Sequence, residues 1–179
     1  SFAGTSGEAW YVPVAHRYLG VPEQLPLNQI LTAIRPLLNS VHHLKIGQNL
    51  KYDILVLARV GVEVTAPLYD TMLASYLANS AAKSHGMDSL AAELLDYRCI
   101  SYSEVAGSGK NKVCFDEVEV GKATVYAAED ADITLRLYEK LVPLVDEQEQ
   151  ADLFNDVEMA LLPILIEMEQ VGIRIDPEF

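Results

Sequence analysis

Positive charge is scarce in this sequence. Its 179 residues contain 13 Lys and Arg against 26 Asp and Glu, which leaves a net charge of −13. Domains that hold duplex nucleic acid through their own electrostatic field are usually basic, so the composition argues against that class of protein. It remains compatible with a site at which metal ions meet a phosphate group.

Cysteines, long apolar runs and glycine fingerprints are also lacking. Cys99 and Cys114 are the only cysteines, too few for a disulfide framework, and they indicate a reducing cytoplasm. No stretch approaches the roughly 20 apolar residues of a membrane span, and the start "SFAGTSGEAW" lacks the regions of a signal peptide. No glycine pattern of a dinucleotide-binding enzyme occurs. We therefore expect a cytoplasmic protein without a membrane segment.

Strand-forming and helical segments alternate along the chain. About half of the residues are hydrophobic, enough for one domain with a sizeable core. Apolar spacing and β-forming residues predict the following elements: strands at 9–16, 42–48 and 62–70, and helices at 26–40, 49–61, 71–80, 89–95, 123–145 and 151–171. Such alternation predicts the α/β class.

The last predicted helix, 151–171, has apolar residues along one face, and Pro163 is expected to bend it. The residues of this apolar face are Phe154, Val157, Leu161, Ile164, Leu165, Met168 and Val171.

Negative charge is concentrated in "YAAEDAD", residues 126–132, within the longest predicted helix. Tyr126 and Asp130 are four positions apart and therefore share a face. Asp132 points roughly 200° away from Asp130 at 3.6 residues per turn, so we expect it to be solvated or paired. Like charges at this density indicate either a cation among them or a surface that faces water.

A similar pair, Asn49 and Asp53 in "NLKYD", opens the helix that follows a predicted strand. Ligands of α/β proteins usually bind at that end of a strand. Asp53 and Asp130 could together hold divalent cations, because Mg²⁺ prefers oxygen ligands, and Tyr126 could orient an attacking water. The alternative is that Asn49 only caps its helix and that the aspartates line a solvated face. Spacing alone favours neither.

Four segments carry a resemblance to a known family: "KIGQNLKYDILVL", "YDTMLASYLANS", "MDSLA" and "YAAEDADITLRLYEKL". They closely resemble the 3′–5′ proofreading exonuclease domain of bacterial DNA polymerase I, of the A family of DNA polymerases. The resemblance runs over residues 1–176 and implies a ribonuclease-H-like fold, with a mixed central sheet flanked by helices. It divides the chain into the exonuclease domain, 1–150, and a helix with a connection, 151–179, that leads into a polymerase domain.

The resemblance implies roles for individual residues. Asp53 and Asp130 become metal-binding acids and Tyr126 positions the attacking water, in a site where two Mg²⁺ or Mn²⁺ ions assist the hydrolysis of a 3′-terminal nucleotide. The residues implied at the single-stranded DNA 3′ end are Gln48, Asn49, Tyr52 and Tyr102. The implied partner is the polymerase domain of the same chain, and we expect a monomer.

The resemblance also implies a first motif, an acid-x-Glu pair on the first strand of the family's fold. We expect this motif upstream of Ser1, outside the 179-residue sequence. The letters D-x-E occur at 156–158 and 176–178, but both follow the other motifs, and on a helix the first pair would diverge. Two of the four metal-binding acids would then be missing. We expect the 179-residue chain to be inactive or nearly so, with unpaired strand edges where that strand belongs.

Two further functions remain compatible with the sequence. A scaffold domain would keep the fold without catalysis, although retention of both motif pairs argues against this. A stand-alone 3′–5′ exoribonuclease of the same superfamily would share both pairs, although the tail "MEQVGIRIDPEF" favours the polymerase.

Overall fold

A computed structural model describes residues 1–174 of the chain. The second D-x-E match, at 176–178, and the end of the predicted connection lie outside the described residues. The first match, at 156–158, lies in a helical segment, as expected. Within 1–174, no helix is both long and apolar enough to span a bilayer.

The four described strands form two separate pairs. Strand β1 (Phe2–Thr5) pairs antiparallel with β2 (Glu8–Trp10) in a tight hairpin. Strand β3 (Lys45–Gly47) runs parallel to β4 (Leu68–Asp70), with Gly47 opposite Asp70. Directions are mixed, as the resemblance implies, but no strand among residues 1–174 joins the two pairs into one central sheet.

The strands are shorter than the sequence predicts, and β1 was missed. The sequence pattern of β-forming residues extends beyond the residues that pair. A strand continues only as far as a neighbouring strand satisfies its N–H and C=O groups, so the pattern predicts strands that are too long. Gly7, with φ of 87°, makes the turn between β1 and β2, because a positive φ costs glycine little.

The predicted helices are present, with slightly different ends. They are α1 (Leu27–Leu38), α2 (Leu50–Arg59), α3 (Thr71–Ala78), α4 (Met87–Leu95) and, after one further short helix, α6 (Val120–Glu147). That short helix, α5 (Tyr102–Ala106), was not predicted. Helix α6 is the longest and packs against β1, β2, β3, α3 and α4. Helix α6 therefore contacts strands of both pairs and connects the two pairs within the fold.

The main core lies along α6. Ile133, Leu137 and Leu141 follow at four-residue spacing and are almost completely buried. Tyr69 of β4 meets Phe154 with 4.7 Å between ring centroids, which ties the final segment to this core. Burial of such side chains contributes about 1.5–3 kcal/mol each.

The final segment consists of α7 (Ala151–Leu153), a π-helical turn (Phe154–Glu158) and α8 (Met159–Val171), with Pro163 inside α8. The apolar face predicted for this segment is not the buried one. Leu162 and Ile166 of α8 pack against Leu50 and Ile54 of α2.

Of the predicted face, only Phe154 is buried. Its other members are among the exposed large apolar side chains: Val157, Leu161, Ile164, Leu165, Met168 and Val171. The segment is apolar on several sides, so periodicity could not identify the side that α2 covers.

Candidate active site

Helices α2 and α3 begin at the same buried carboxylate, that of Asp70. Its Oδ2 accepts a hydrogen bond from the N–H of Leu50 at 2.7 Å, and its Oδ1 accepts from the N–H groups of Asn49 at 3.1 Å and Met72 at 2.8 Å. Asp70 is 2% exposed. The carboxylate thus holds the first turn of α2 beside β4. Sequence analysis missed this residue, although an Asp directly before an apolar helical run is a typical N-cap pattern.

Asn49 occupies the N-cap position of α2 in a left-handed conformation, with φ of 59°, but its side chain makes no capping hydrogen bond. Asn49 is therefore the N-cap residue by position, as the alternative expected, but Asp70 and not the Asn49 side chain accepts from the N–H groups at the start of α2. The Asn49 side chain remains exposed and available to a ligand.

Gln48 is held by the fold. Its Nε2 donates to the backbone oxygen of His85 at 2.8 Å, and its Oε1 accepts from the hydroxyl of Thr71. Tyr52, by contrast, is 66% exposed on the first turn of α2. Of these two predicted strand-binding residues, only Tyr52 has a side chain that is free to meet a ligand without breaking a described contact.

Two of the three carboxylates in 126–132 have protein partners. Glu129 accepts hydrogen bonds from the hydroxyl of Tyr97 at 2.8 Å and from the N–H of Ile100 at 2.7 Å. Asp132 accepts from the N–H of Gly7 at 2.6 Å, and so ties the β1–β2 turn to α6. Asp132 was expected to be either solvated or paired, and in the structure it is paired.

The third carboxylate, that of Asp130, has a buried Oδ1 without a hydrogen-bond partner among the described residues. Burial raises the pKa of Asp130 to about 6; the hydroxyl of Tyr126 opposes this rise, and the charges of Glu129 and Asp88 add to it. A buried carboxylate oxygen with no donor carries a desolvation cost that a bound cation would offset.

Asp53 and Asp130 both act electrostatically on the amino group of Ser1. Burial lowers the pKa of the Ser1 amino group, whereas the nearby charges of Asp53 and Asp130 raise it. The pKa of Asp53 is itself raised, first by partial burial and then by repulsion from Asp70. The two acids predicted from separate motifs thus lie in the region around the Ser1 amino group, and carboxylate oxygens suit a divalent cation such as Mg²⁺.

An aromatic wall borders these acids. The ring of Tyr126 lies 5.9 Å from that of Phe115 and 6.2 Å, edge-on, from that of Tyr102, measured between centroids. Burial raises the pKa of Tyr126 to about 12, so its hydroxyl keeps its proton and can donate a hydrogen bond. Tyr102 remains 39% exposed. Phe115 was not identified from the sequence, since it belongs to neither motif.

Within residues 1–174, one group of three metal-ligand side chains lies within mutual reach, and it is elsewhere: Cys114, Asp116 and Glu117. Asp116 pairs with Arg17 at 2.6 Å, and Glu117 accepts from the N–H of Cys114 at 3.1 Å. These contacts explain why the three side chains lie close together even without a bound ion. Cys99 and Cys114 are both free thiols.

Comparison with known proteins identifies the class to which this fold and these acids belong. A family model described as 3′-5′ exonuclease matches residues 3–146. The chain belongs to this 3′–5′ exonuclease family.

Within the family, the chain is similar to DNA polymerase I of Pseudomonas aeruginosa, with 44% identity over 179 residues. That match covers 98% of this chain and 20% of the relative, and a match to DNA polymerase I of Rhizobium leguminosarum covers 97% and 18%. The chain thus spans about a fifth of the length of these curated relatives. The predicted resemblance to the exonuclease domain of bacterial DNA polymerase I is confirmed.

Solved structures support the fold. The Pol1 of M. smegmatis, solved with DNA primer-template and dNTP, superposes with a TM-score of 0.68 at 21% identity over 85% of this chain and 23% of that one. Brucella melitensis NrnC with bound Mg²⁺ gives 0.60 at 22% identity over 86% and 68%. The α/β, ribonuclease-H-like class is confirmed.

Proposed function

We propose that this chain is a proofreading exonuclease domain that hydrolyses 3′-terminal nucleotides from single-stranded DNA ends with the help of divalent metal ions. One observation carries the proposal: Asp130 has a buried oxygen without a partner among the described residues, beside a Tyr126 hydroxyl that stays protonated. The charges of Asp130 and Asp53 both act on the amino group of Ser1, so the two acids lie in one region of the fold.

Asp53 and Asp130 would hold the metal. Carboxylate oxygens suit both Mg²⁺ and Mn²⁺, and the Brucella melitensis neighbour was solved with Mg²⁺. Bound ions of this kind activate water and stabilise the leaving oxygen. Tyr126 would orient that water by donating a hydrogen bond, and its raised pKa excludes a role as general base near neutral pH.

The exposed side chains around the acids would bind the unpaired strand. Tyr52 and Tyr102 offer ring surface on which bases stack, at about 1–3 kcal/mol per base. Asn49 offers an unengaged amide at the start of α2. Gln48 would act by holding the first turn of α2 against Thr71 rather than by touching DNA.

The charge balance limits the activity of the 179-residue chain. Two carboxylates offset only half of the charge of two divalent ions, so a second ion would bind weakly. We therefore propose that Asp53 and Asp130 retain one ion and that cleavage by this chain alone is slow or absent, as the two-metal chemistry requires both.

The wider role follows from the similarity to DNA polymerase I. We propose that residues 1–150 form the exonuclease domain and that 151–179 lead to a polymerase domain in the same protein. Such a protein would serve DNA replication and repair in the bacterial cytoplasm, as a monomer. The scaffold alternative does not explain why Asp130 has an orphaned buried oxygen. The exoribonuclease alternative remains open to the assay below, with an RNA strand as competitor.

The test is a gel assay of a 5′-labelled single strand with Mg²⁺ or Mn²⁺, together with calorimetric titration of Mn²⁺. Asp130→Ala is the variant, and Asp132→Asn is the matched control two positions along the same helix. Mn²⁺ binding without a ladder supports the proposal if only Asp130→Ala abolishes the binding. A strong ladder from the 3′ end that only Asp130→Ala abolishes supports the exonuclease function but overturns the proposed inactivity of the chain alone. Shortening or binding that survives in Asp130→Ala overturns it, as does the absence of both in the unmutated chain.

A further inference from the structure

Lys112 lies over the ring of Tyr102, one of the three rings of the aromatic wall. The Nζ of Lys112 lies 5.4 Å from the centroid of the Tyr102 ring. Tyr102 in turn stacks on Phe115, with 6.3 Å between centroids and 26° between planes, and meets Tyr126 edge-on at 6.2 Å. A continuous series of contacts therefore leads from this ammonium group to the ring beside Asp130.

We propose that Lys112 binds a phosphate of the single strand whose base stacks on Tyr102. The inference rests on the proposed function and deepens it, because it names a residue that selects an unpaired nucleic-acid strand.

The backbone on both sides of Lys112 is held in place. The N–H of Val113 donates to the oxygen of Ala106 at 2.8 Å. At Gly107, φ is 75° and an added Cβ would lie 2.6 Å from the backbone oxygen of Asn111, so the turn requires glycine there. Lys112 therefore extends from a closed turn, and the position of its stem beside Tyr102 is set by the fold.

The charge environment of the Lys112 ammonium group also leaves it able to bind an anion. Within residues 1–174, Lys112 has no carboxylate within ion-pair distance, unlike four other basic side chains, which are paired: Arg17, Lys51, Arg98 and Arg136. A phosphate that approaches this chain, with its net charge of −13, is repelled over most of the surface. An unpaired cation beside the aromatic wall supplies local attraction for a strand that stacks there.

The contact with Tyr102 explains how cation and base can use the same ring. A lysine ammonium is attracted to the face of an aromatic ring, and so is a nucleic-acid base. The flexible four-carbon stem of Lys112 allows the ammonium to leave the ring for a phosphate when a base takes its place. Only an unpaired strand exposes its base faces, so duplex DNA cannot make this exchange.

The test is fluorescence anisotropy of an oligothymidylate of about ten nucleotides with a 5′-fluorescein label, in EDTA, over a series of NaCl concentrations. The variant is Lys112→Gln, and the matched control is Lys110→Gln, which removes the same charge from the same exposed turn. We expect Lys112→Gln to weaken binding about three- to tenfold at low salt and to reduce the slope of log K against log salt by about 0.7. Lys112→Arg should restore both values.

Equal effects of Lys112→Gln and Lys110→Gln on affinity and slope would overturn the inference and leave only a net-charge effect. Equal binding of a duplex and the single strand by the unmutated chain would also overturn it. If the unmutated chain binds no single strand even at low salt, the strand-binding part of the proposed function itself fails. Circular dichroism melting of each variant separates loss of contact from loss of fold.

Discussion

The carboxylate of Asp70 and the backbone N–H of Leu50 are joined by a 2.7 Å hydrogen bond across 20 positions of sequence. The same carboxylate caps α3 through Met72 and Leu73. One buried side chain therefore sets where two helices begin, and α2 carries both Asn49 and Asp53. The candidate metal site depends on this contact even though Asp70 is not expected to touch a metal.

Replacement of Asp70 by Ala should lower the free energy of unfolding by about 3 kcal/mol, because buried N–H groups of two helices lose their acceptor. Urea denaturation measures the loss. The control is Glu119→Ala, which removes the exposed N-cap of α6 and should cost about 1 kcal/mol. A loss no larger than that of the control would show that Asp70 is an ordinary cap.

Replacement of Asp130 by Asn should stabilise the chain at neutral pH. The folded pKa of about 6 exceeds the ordinary value of 3.8, so the folded state holds the proton more tightly than the unfolded state does. Stability from this group is complete below about pH 4 and declines as pH rises to 6 and above. With allowance for solvent screening, the decline amounts to about 1–2 kcal/mol.

Urea unfolding at pH 4 and pH 7.5 checks this expectation. The difference between the two pH values should be smaller in Asp130→Asn than in the unmutated chain, whereas Asp132→Asn should leave the difference unchanged. An Asp130→Asn chain that is no more stable at pH 7.5 would contradict the assignment of a strained carboxylate at this position.

Divalent metal should stabilise the unmutated chain at pH 7.5, because an ion bound between Asp53 and Asp130 favours the folded state. At a concentration ten times its Kd, an ion adds about 1.4 kcal/mol. Thermal melting with and without Mn²⁺, and again after EDTA, measures the effect. Asp130→Ala should lose it, and Glu139→Ala, an exposed acid on the same helix, should keep it. A shift common to all variants would indicate diffuse surface binding.

Two isoleucines of α8 provide a matched pair for the packing of the final segment. Ile164 is 54% exposed, whereas Ile166 is 8% exposed and packs in the cluster with Leu50 and Ile54. Ile166→Ala should cost about 2–5 kcal/mol, and Ile164→Ala well under 1 kcal/mol. Urea denaturation distinguishes them. If Ile164→Ala cost more stability than Ile166→Ala, the buried face of α8 would be the one predicted from the sequence.

Local sequence patterns were enough to predict several features of the chain. The four-residue spacing of Tyr126 and Asp130 predicts a shared helical face, and α6 covers both residues. Periodicity also located the cores of α1, α2 and α3, because an amphipathic helix records its buried side in residues only a few positions apart. The angle of Asp132 around the same helix predicted that it would point away from Asp130 and be either solvated or paired.

Other features depend on residues far apart in sequence. No local pattern reveals that Asp132 meets Gly7 or that Gln48 meets His85, 37 positions away. The strands were predicted too long for the same reason, since their ends are set by pairing partners. The aromatic wall also escaped prediction, because Phe115 reaches Tyr126 only when the turn before α6 closes.

The sequence by itself determined the α/β class and the principal helices, and it marked Asp53 and Asp130 as the candidate acids, because each of these follows from local spacing or from a motif of a few residues. Only the tertiary structure decided that Glu129 and Asp132 are occupied while Asp130 retains an orphaned oxygen. These three neighbouring carboxylates have similar chemistry and differ only in the groups that the fold places next to them. Burial therefore raises the pKa of Asp130, which has an oxygen without a hydrogen-bond donor.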